Sequence, residues 1–294
     1  LDFAKVYLFL DKIMSAIPQY VFRAEDLIKA GRTTRSNIDD IRKWLKFKPN
    51  IPEMSAEQIV VFLIACDNII ENTQYTIESY FRYKSTCPEL FQGRNWDNDG
   101  VQLAHKVTKY GVSPKFTKDN YLVTFAMLRD TYYYNYRIDD QVKVMFTISD
   151  MVLHSRLPDG IIFVLNMKGV GIMHLTRIKV GTVKKFLGYL QEAFPIQLRQ
   201  VHVLNATYVF EKLLAIVKPF MKRELFDKII AHPPNTPMEE FFEKYLPASC
   251  MPSDFGGELS SLDELSEHLQ NETRKLKIFL ETDDRQVQLY RKEK

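Results

Sequence analysis

The chain has 294 residues, enough for one large domain or two ordinary ones. Its formal net charge of +3 is too small to indicate nucleic-acid binding, so no nucleic-acid partner is expected. A hydrophobic fraction of 46%, with 20 Phe and 15 Tyr, predicts a large apolar interior. No apolar run reaches the roughly 18 residues of a membrane-spanning helix.

The cysteines bear on where the protein works. Cys66, Cys87 and Cys250 are far apart and form no CxxC pair, and the N-terminus shows no signal-peptide pattern. We therefore expect reduced thiols in a cytoplasmic protein. Separately, the protein is expected to be a monomer whose association with membranes is transient.

Residues 1–92 are predicted to form a helical domain. Apolar residues recur at helical spacing over residues 3–17, and Pro18 ends this stretch. Residues 55–58 (Ser-Ala-Glu-Gln) fit a capping box, in which the serine caps forward and the glutamine side chain reaches back. The helix that follows, over residues 59–70, is apolar on nearly all sides and should be buried.

The pattern changes after a turn-rich segment, residues 91–114, which we take as the domain boundary. The second domain is placed at residues 112–258. Strands are predicted at residues 121–127, 161–167 and 201–204, and helices at residues 137–156 and 175–194. This alternation predicts an α/β fold with a mainly parallel sheet and flanking helices. Residues 259–294 are predicted to form a C-terminal helical extension.

Residues 200–232 are predicted to form a strand followed by a kinked helical arm. Asn205 or Thr207 can cap the helix. Pro219 ends the first segment, and a second, basic helix is predicted over residues 222–230. One face of the arm is apolar and consists of Phe210, Leu213, Val217 and Phe220. An arm with these properties suits a lid over an apolar cavity.

Residues 169–174 (Gly-Val-Gly-Ile-Met-His) follow a strand and precede a helix, which is the position of a dinucleotide phosphate loop. His174 stands where the third glycine would be, and no acidic residue follows the next strand at Asn205. A tight turn is therefore the preferred interpretation, and no cofactor is expected.

Catalytic and metal-binding patterns are also missing from the sequence. The six histidines show no metal-ligand spacing, and there is no GxSxG, P-loop or carboxylate pair. His202 is interpreted as a core residue with satisfied hydrogen bonds. Four tyrosines follow a strand, and they either stack on a polyene or cover a loop: Tyr132, Tyr133, Tyr134 and Tyr136.

Several short motifs occur in a characteristic order. They are Val-His-Val-Leu-Asn-Ala at residues 201–206, Lys-Pro-Phe at 218–220, Tyr-Leu-Pro at 245–247 and Asp-Phe-Gly-Gly at 254–257. Together with residues 160–169 and Phe194-Pro195, this order resembles the CRAL-TRIO lipid-binding family. The resemblance covers roughly residues 115–262.

The resemblance implies a non-enzymatic intracellular carrier that encloses a retinoid, tocopherol, carotenoid or similar lipid. It would transfer this ligand to or from an anionic membrane through a mobile lid. Two alternatives stay open: a phospholipid or phosphoinositide exchange or signalling module, and a non-transporting interaction domain. By helical phase and resemblance, the expected cavity walls are Val142, Met145, Phe146, Ser149, Leu165, Ile178, Phe186, Leu190, Phe194, Phe210 and Leu213.

Cations accompany the lid. Membrane contact is assigned to Val217, Phe220, Lys222 and Arg223. The resemblance also implies a phosphoinositide site, for which the candidates are Arg199, Lys218 and Lys228. The chain departs from the tocopherol-transfer pattern in four places, which argues against a site of the same form: Gln197 and Glu224 replace lysines, Phe62-Leu-Ile-Ala-Cys66 replaces Phe-Leu-Arg-Ala-Arg, and Asn166 replaces an aspartate.

Overall fold

The structure is a computed structural model that describes residues 16–290. The helix predicted over residues 3–17 lies almost wholly outside the described residues. Within residues 16–290, no helix is both long and apolar enough to cross a membrane.

The N-terminal region is helical, as predicted. Its helices are α1 (Ala24–Lys29), α2 (Arg35–Leu45), α3 (Ala56–Ala65), α4 (Ile70–Thr86) and α5 (Pro88–Phe91). Every residue of α3 from Gln58 to Ile64 is buried, as expected from its composition. The helix predicted over residues 59–70 ends earlier, at Ala65, because Asp67 and Asn68 adopt left-handed backbone conformations, and residues 65–70 are not buried. The Ser55 hydroxyl caps α3 by accepting from the Gln58 N–H at 3.1 Å.

The second hydrogen bond of the predicted capping box, from the Gln58 side chain back to the start of the helix, is wrong. The Gln58 amide instead forms a reciprocal pair with the Gln286 amide, at 2.8 and 2.9 Å, and both side chains are fully buried. A buried amide must satisfy its donor and its acceptor, and one complementary amide satisfies both.

A five-stranded sheet forms the centre of the molecule. Its strands are β1 (Thr108–Phe116), β2 (Tyr121–Leu128), β3 (Gly160–Asn166), β4 (Leu198–Leu204) and β5 (Ile229–Ala231). They lie in sequence order, with β1 antiparallel to β2 and all other neighbours parallel. The predicted α/β class with a mainly parallel sheet is confirmed.

The remaining helices flank this sheet. They are α6 (Asp99–Val107), α7 (Ile138–Ser155), α8 (Val180–Glu192), α9 (Tyr208–Val217), α10 (Arg223–Phe226), α11 (Met238–Lys244), α12 (Leu262–Lys275) and α13 (Lys277–Gln288). Side chains alternate between the two faces of the sheet. On β3, Leu165 points toward α7, α8 and α9, whereas Ile162 and Val164 pack with residues of α11 and α12.

Two segments differ from the sequence prediction. Residues 91–114 are not a loop, because they contain α6 and most of β1. Gly111 in β1 allows α12 to approach closely, since a Cβ there would lie 2.7 Å from Leu262 Cδ1 and would force that side chain to shift. The basic helix predicted over residues 222–230 is only the single turn α10, because the chain then pairs with β4 as β5. The proposed domain boundaries at residues 92, 112 and 258 stay predictions.

Candidate ligand-binding cavity

An apolar cavity of about 210 Å³ lies between the sheet and helices α8 and α9. Strands β3, β4 and β5 form its floor, α8 forms one wall, and α9 with the turn after it forms another. All of its lining residues are apolar: Met145, Phe163, Leu165, Val183, Phe186, Leu187, Leu190, Leu198, Val201, Val203, Phe210, Leu213, Leu214, Val217, Met221, Leu225 and Ile229.

Six of the eleven wall residues predicted from the sequence line this cavity: Met145, Leu165, Phe186, Leu190, Phe210 and Leu213. Five do not: Val142, Phe146, Ser149, Ile178 and Phe194. The difference on α7 is one of helical phase. Phe146 turns away and stacks on Phe91, with 4.6 Å between ring centroids. The Ser149 hydroxyl donates to the Met145 carbonyl at 2.9 Å and is occupied within the helix. Ligand contact by any of these residues stays a prediction.

The sequence reasoning also missed part of the floor. Phe163 and Leu165 on β3, like Val201 and Val203 on β4, are two residues apart and therefore point to the same face of the sheet. This spacing could have been used to predict them from the sequence. Met221, Leu225 and Ile229 gave no such signal, because their position depends on the unpredicted strand β5.

Residues 208–222, which we call the lid segment, begin with α9. Of the two predicted caps, Thr207 is the one observed, with its hydroxyl accepting from the Val209 N–H at 3.4 Å. Asn205 has a left-handed backbone (φ 54°), and its amide donates to Asn166 Oδ1 at 2.8 Å. The α-helix ends at Val217, two residues before Pro219, as predicted.

The far end of the lid segment is held by Gln191 of α8. Its Nε2 donates to the Phe220 carbonyl at 3.1 Å, and its Oε1 accepts from the Lys222 N–H at 2.6 Å. One side chain therefore ties both ends of the turn after α9 to the helix below it. Sequence reasoning did not single out Gln191, because nothing local distinguishes it from a surface glutamine.

The predicted membrane-contact residues occupy different positions on the lid segment. Val217 lines the cavity, and Phe220 packs partly buried against the core. Lys222 and Arg223 are exposed to solvent. Their side chains form long ion pairs, Lys222 with Glu192 at 3.6 Å and Arg223 with Asp227 at 3.5 Å.

Two of the predicted phosphoinositide residues are brought together. The Lys228 ammonium donates to the Leu198 carbonyl at 2.6 Å, and its pKa is lowered by burial and by the neighbouring Arg199 cation. Arg199 donates to the Asp159 carbonyl at 3.1 Å. Lys218 lies elsewhere, with its ammonium 4.7 Å from the centroid of the Phe226 ring.

Arg199 also lines a polar groove of about 770 Å³ on the outside of the molecule. Lys118 and Lys244 line the same groove, but so do Asp119 and Glu243. The groove is larger than the apolar cavity, yet its mixed charges do not select an anion or an apolar molecule. Phosphoinositide binding therefore stays a prediction.

The glycine-rich turn has a clear structural role. His174 Nδ1 accepts from the Gly171 N–H at 3.0 Å and so closes the turn, which fits the tight-turn interpretation. In the described part of the chain, no cluster of three or more His, Cys, Asp or Glu side chains could hold a metal ion.

The structure also bears on the interpretations of the four tyrosines and of His202. The rings of Tyr133 and Tyr134 pack 4.3 Å apart, and Tyr132 and Tyr134 are exposed, away from the cavity lining. Of the two alternatives, this arrangement favours tyrosines that cover a loop.

His202 is fully buried with both ring nitrogens within hydrogen-bond distance of a partner, which confirms the core interpretation.

Two family models match the chain, and several known proteins are similar to it. A family model described as the CRAL/TRIO domain matches residues 106–257, and a Pinta-like UBA domain model matches residues 31–101. An alpha-tocopherol transfer protein-like protein from Homo sapiens is 28% identical over 131 residues, which is 44% of this chain and 37% of that protein. Clavesin-1 from Xenopus laevis is 22% identical over 238 residues, or 79% of this chain and 70% of that protein. The crystal structure of Sfh5 aligns with a TM-score of 0.45 and 14% identity, over 63% of this chain and 70% of that one. The match to the tocopherol relative thus spans well under half of its length.

Proposed function

The chain belongs to the CRAL/TRIO domain family, and on that premise we propose that it encloses one hydrophobic small molecule and carries it to or from membranes. The observation that carries the proposal is the cavity, because every side chain lining it is apolar. No reaction is part of this function. We place the protein in the cytoplasm as a monomer that contacts anionic membranes transiently.

The energetics favour retention of an apolar ligand. Moving about 300 to 600 Å² of apolar surface from water into a dry cavity is worth roughly 7 to 15 kcal/mol before the costs of binding, at about 25 cal/mol per Å². A ligand held this tightly would leave slowly. Transfer therefore requires the wall to open, and a membrane that binds the open state better would shift the equilibrium.

The size of the cavity supports a moving wall. Sites for small molecules usually enclose about 300 to 1,000 Å³, whereas this cavity has about 210 Å³. The lid segment is the wall most suited to move, because α9 buries only Val209 completely. We propose that α9 swings away from the sheet when the ligand enters or leaves.

The chemistry of the lining favours a neutral lipid over a phospholipid. A phosphate inside the cavity would need cationic or hydrogen-bonding partners, and none of the lining side chains provides one. The names of the relatives point the same way, since one set is named for tocopherol transfer. The proposed ligand class is therefore a tocopherol, retinoid, carotenoid or similar lipid.

Native mass spectrometry tests the proposal directly. The purified protein is equilibrated in turn with a tocopherol, a retinoid, a carotenoid and a phospholipid. A one-to-one complex with at least one of the first three is expected. A complex with phospholipid alone would support the exchange-module alternative, and no complex with any of them would refute the carrier function.

A further inference from the structure

Four residues in register form a line across the face of the sheet that carries the cavity. Val203 pairs with Leu165, Leu165 with Ala126, and Ala126 with Tyr110. The first two line the cavity. Because neighbouring strands are about 4.8 Å apart, Tyr110 lies roughly 10 Å beyond Leu165 on the same face.

A buried polar group stands at the end of this line. The Tyr110 hydroxyl donates to Oε1 of Gln141 on α7, and both residues are 3% exposed. Within residues 16–290, Gln141 Nε2 is buried without a hydrogen-bond partner. The hydroxyl of Thr108, on the same face of β1 as Tyr110, is buried close to the Tyr110 side chain. We call Thr108, Tyr110 and Gln141 the polar end.

The unpartnered Nε2 of Gln141 needs an explanation. Leaving a buried donor unsatisfied costs about 1 to 3 kcal/mol, and most native proteins avoid it. Gln141 Oε1 accepts from the Tyr110 hydroxyl, so only half of this buried amide is satisfied. A group that accepts a hydrogen bond is therefore expected to occupy the space beside Nε2.

One small side chain and one flexible side chain lie between the polar end and the cavity lining. Ala126 lies between Tyr110 and Leu165 on the floor and retains some accessible surface. Met145 lies one turn after Gln141 on α7, lines the cavity, and also packs against the cluster that contains Tyr110. A methionine side chain is unbranched and changes rotamer readily, so it can act as a movable partition.

We propose that the occupied cavity extends over Ala126 to the polar end, and that the ligand carries a neutral oxygen group, a hydroxyl or carbonyl, which accepts a hydrogen bond from Gln141 Nε2. This inference rests on the carrier function proposed above. It makes Gln141 a specificity-determining residue and Met145 the partition that moves aside. The added length also brings the cavity toward the size that a lipid needs.

The charge state of the surroundings explains why the oxygen group is neutral. Burial raises the pKa of Tyr136, beside the polar end, to about 12 and lowers the pKa of His105, which packs on Tyr110, to about 4. Both are therefore uncharged near pH 7, as is Tyr110, whose pKa burial raises well above its usual value. Arg274 and Arg129 are near enough to His105 to lower its pKa further, but the polar end itself carries no charge. A carboxylate or phosphate there would lose its hydration without a direct ion pair to Thr108, Tyr110 or Gln141, which is costly.

A competition between two matched ligands tests the inference. The protein is equilibrated with equal amounts of phytol and phytane, which share a branched carbon skeleton and differ in the hydroxyl group and the one double bond of phytol. The ratio of the two complexes in a native mass spectrum gives the ratio of affinities. One satisfied hydrogen bond in a buried site predicts a preference for phytol of about ten-fold in the wild type.

Three variants assign the preference to the polar end. Gln141→Leu should abolish it, and Tyr110→Phe should reduce it; Gln141→Met replaces the first if Gln141→Leu does not fold. The control is Thr147→Val, which removes a buried hydroxyl from the same helix, where it bonds the Arg94 and Lys143 carbonyls. This control should retain the wild-type ratio.

The outcomes separate the two proposals. Equal binding of phytol and phytane by the wild type, or a preference that survives in Gln141→Leu, would overturn the polar end and leave the carrier function standing. Binding of neither molecule, together with no complex with any lipid in the earlier test, would refute the carrier function itself.

Discussion

The imidazole rings of His202 and His232 share a hydrogen bond on the face of the sheet opposite the cavity, with 3.0 Å between Nδ1 of His202 and Nε2 of His232. Nε2 of His202 lies 3.1 Å from Gln200 Oε1, which can only accept. His202 therefore donates through Nε2 and accepts at Nδ1, and His232 is the donor within the pair. An additional proton would leave no acceptor between the rings, so the pair is stable only when both are neutral.

We predict that this pair makes folding stability fall at mildly acidic pH. Burial lowers the pKa of His202 from 6.5 to about 4 and also lowers the pKa of His232. Above pH 6.5 neither the folded nor the unfolded state binds the proton. Between pH 6.5 and about 4 the unfolded state binds it preferentially, so the free energy of unfolding decreases, by up to about 3 kcal/mol for His202.

Denaturant unfolding between pH 7.5 and 4.5 measures this effect. The double variant His202→Leu/His232→Leu should show a shallower pH dependence than the wild type, and replacing the exposed His268 by Gln should not. His105 also has a pKa lowered to about 4 and will contribute to the wild-type slope. An unchanged slope in the double variant would show that the pair tolerates protonation.

A second prediction concerns a buried ion cluster that links three parts of the chain. The Asp283 carboxylate on α13 accepts from Lys84 Nζ of α4 at 2.7 Å and from Arg94 at 2.8 Å, and Arg94 also pairs with Asp150 of α7. Burial favours the neutral acid, but the two cations outweigh it and hold the pKa of Asp283 below its usual value. Asp283→Asn should lower the free energy of unfolding by about 3 to 5 kcal/mol, because it leaves two buried cations short of a counter-charge.

Denaturant unfolding at neutral pH checks this value, and Asp97→Asn is the matched control. Asp97 pairs with Lys277 at 2.6 Å on the surface, where such a pair is worth less than about 1 kcal/mol. Equal effects of the two substitutions would mean that the buried cluster contributes no more than a surface pair.

The sequence predicted the parts of the fold that depend on local pattern. Hydrophobic periodicity predicted the strand at 121–127 and the helix at 137–156. The helix-breaking Pro219 predicted the end of the helix that precedes it. Strand β1 was missed because its Gly and Pro resemble turn signals, and only its pairing with β2 and the approach of Leu262 explain them. The partner of Gln58 was mistaken because Gln286 is 228 residues away. For the same reason, side chains that meet only in the folded state, such as Gln141 with Tyr110, gave no signal.

A third prediction concerns Gln191, which holds the turn after α9 through two hydrogen bonds. Gln191→Leu keeps the approximate volume but removes both, each worth about 0.5 to 1.5 kcal/mol. If the lid segment must open for transfer, opening should become about five-fold to a hundred-fold more favourable. Transfer of a bound lipid to vesicles should accelerate accordingly, as measured by a fluorescent lipid in stopped flow.

The control for this experiment is Gln270→Leu, a similar substitution on α12, whose side chain reaches only Ser266 at 3.5 Å. This variant should transfer lipid at the wild-type rate. Unaltered transfer in Gln191→Leu would show that the ligand leaves by a route other than the lid segment.

The last prediction concerns membrane contact by the lid segment. Val217 lines the cavity and Phe220 packs on the core, whereas Lys222 and Arg223 are exposed beside them. If the apolar face meets the bilayer when the lid opens, Phe220→Asp should slow transfer to vesicles, because a charge at the centre of a membrane costs about 2.5 to 3.5 kcal/mol and less near its surface. Retention of the ligand in solution should change less than transfer does.

The cations provide the electrostatic half of this test. Each basic residue near an anionic surface contributes about 1 kcal/mol, so Lys222→Gln/Arg223→Gln should slow transfer to anionic vesicles by roughly ten-fold or more and leave transfer to neutral vesicles unchanged. High salt should reproduce the effect in the wild type, because it screens exposed charges. The matched control is Lys275→Gln. Lys275 is an exposed lysine on α12, away from the lid segment, and it forms a solvent-exposed ion pair with Glu272. Rates that depend neither on Phe220 nor on vesicle charge would show that the lid segment is ordinary core, because an arm that opens onto an anionic bilayer must respond to both.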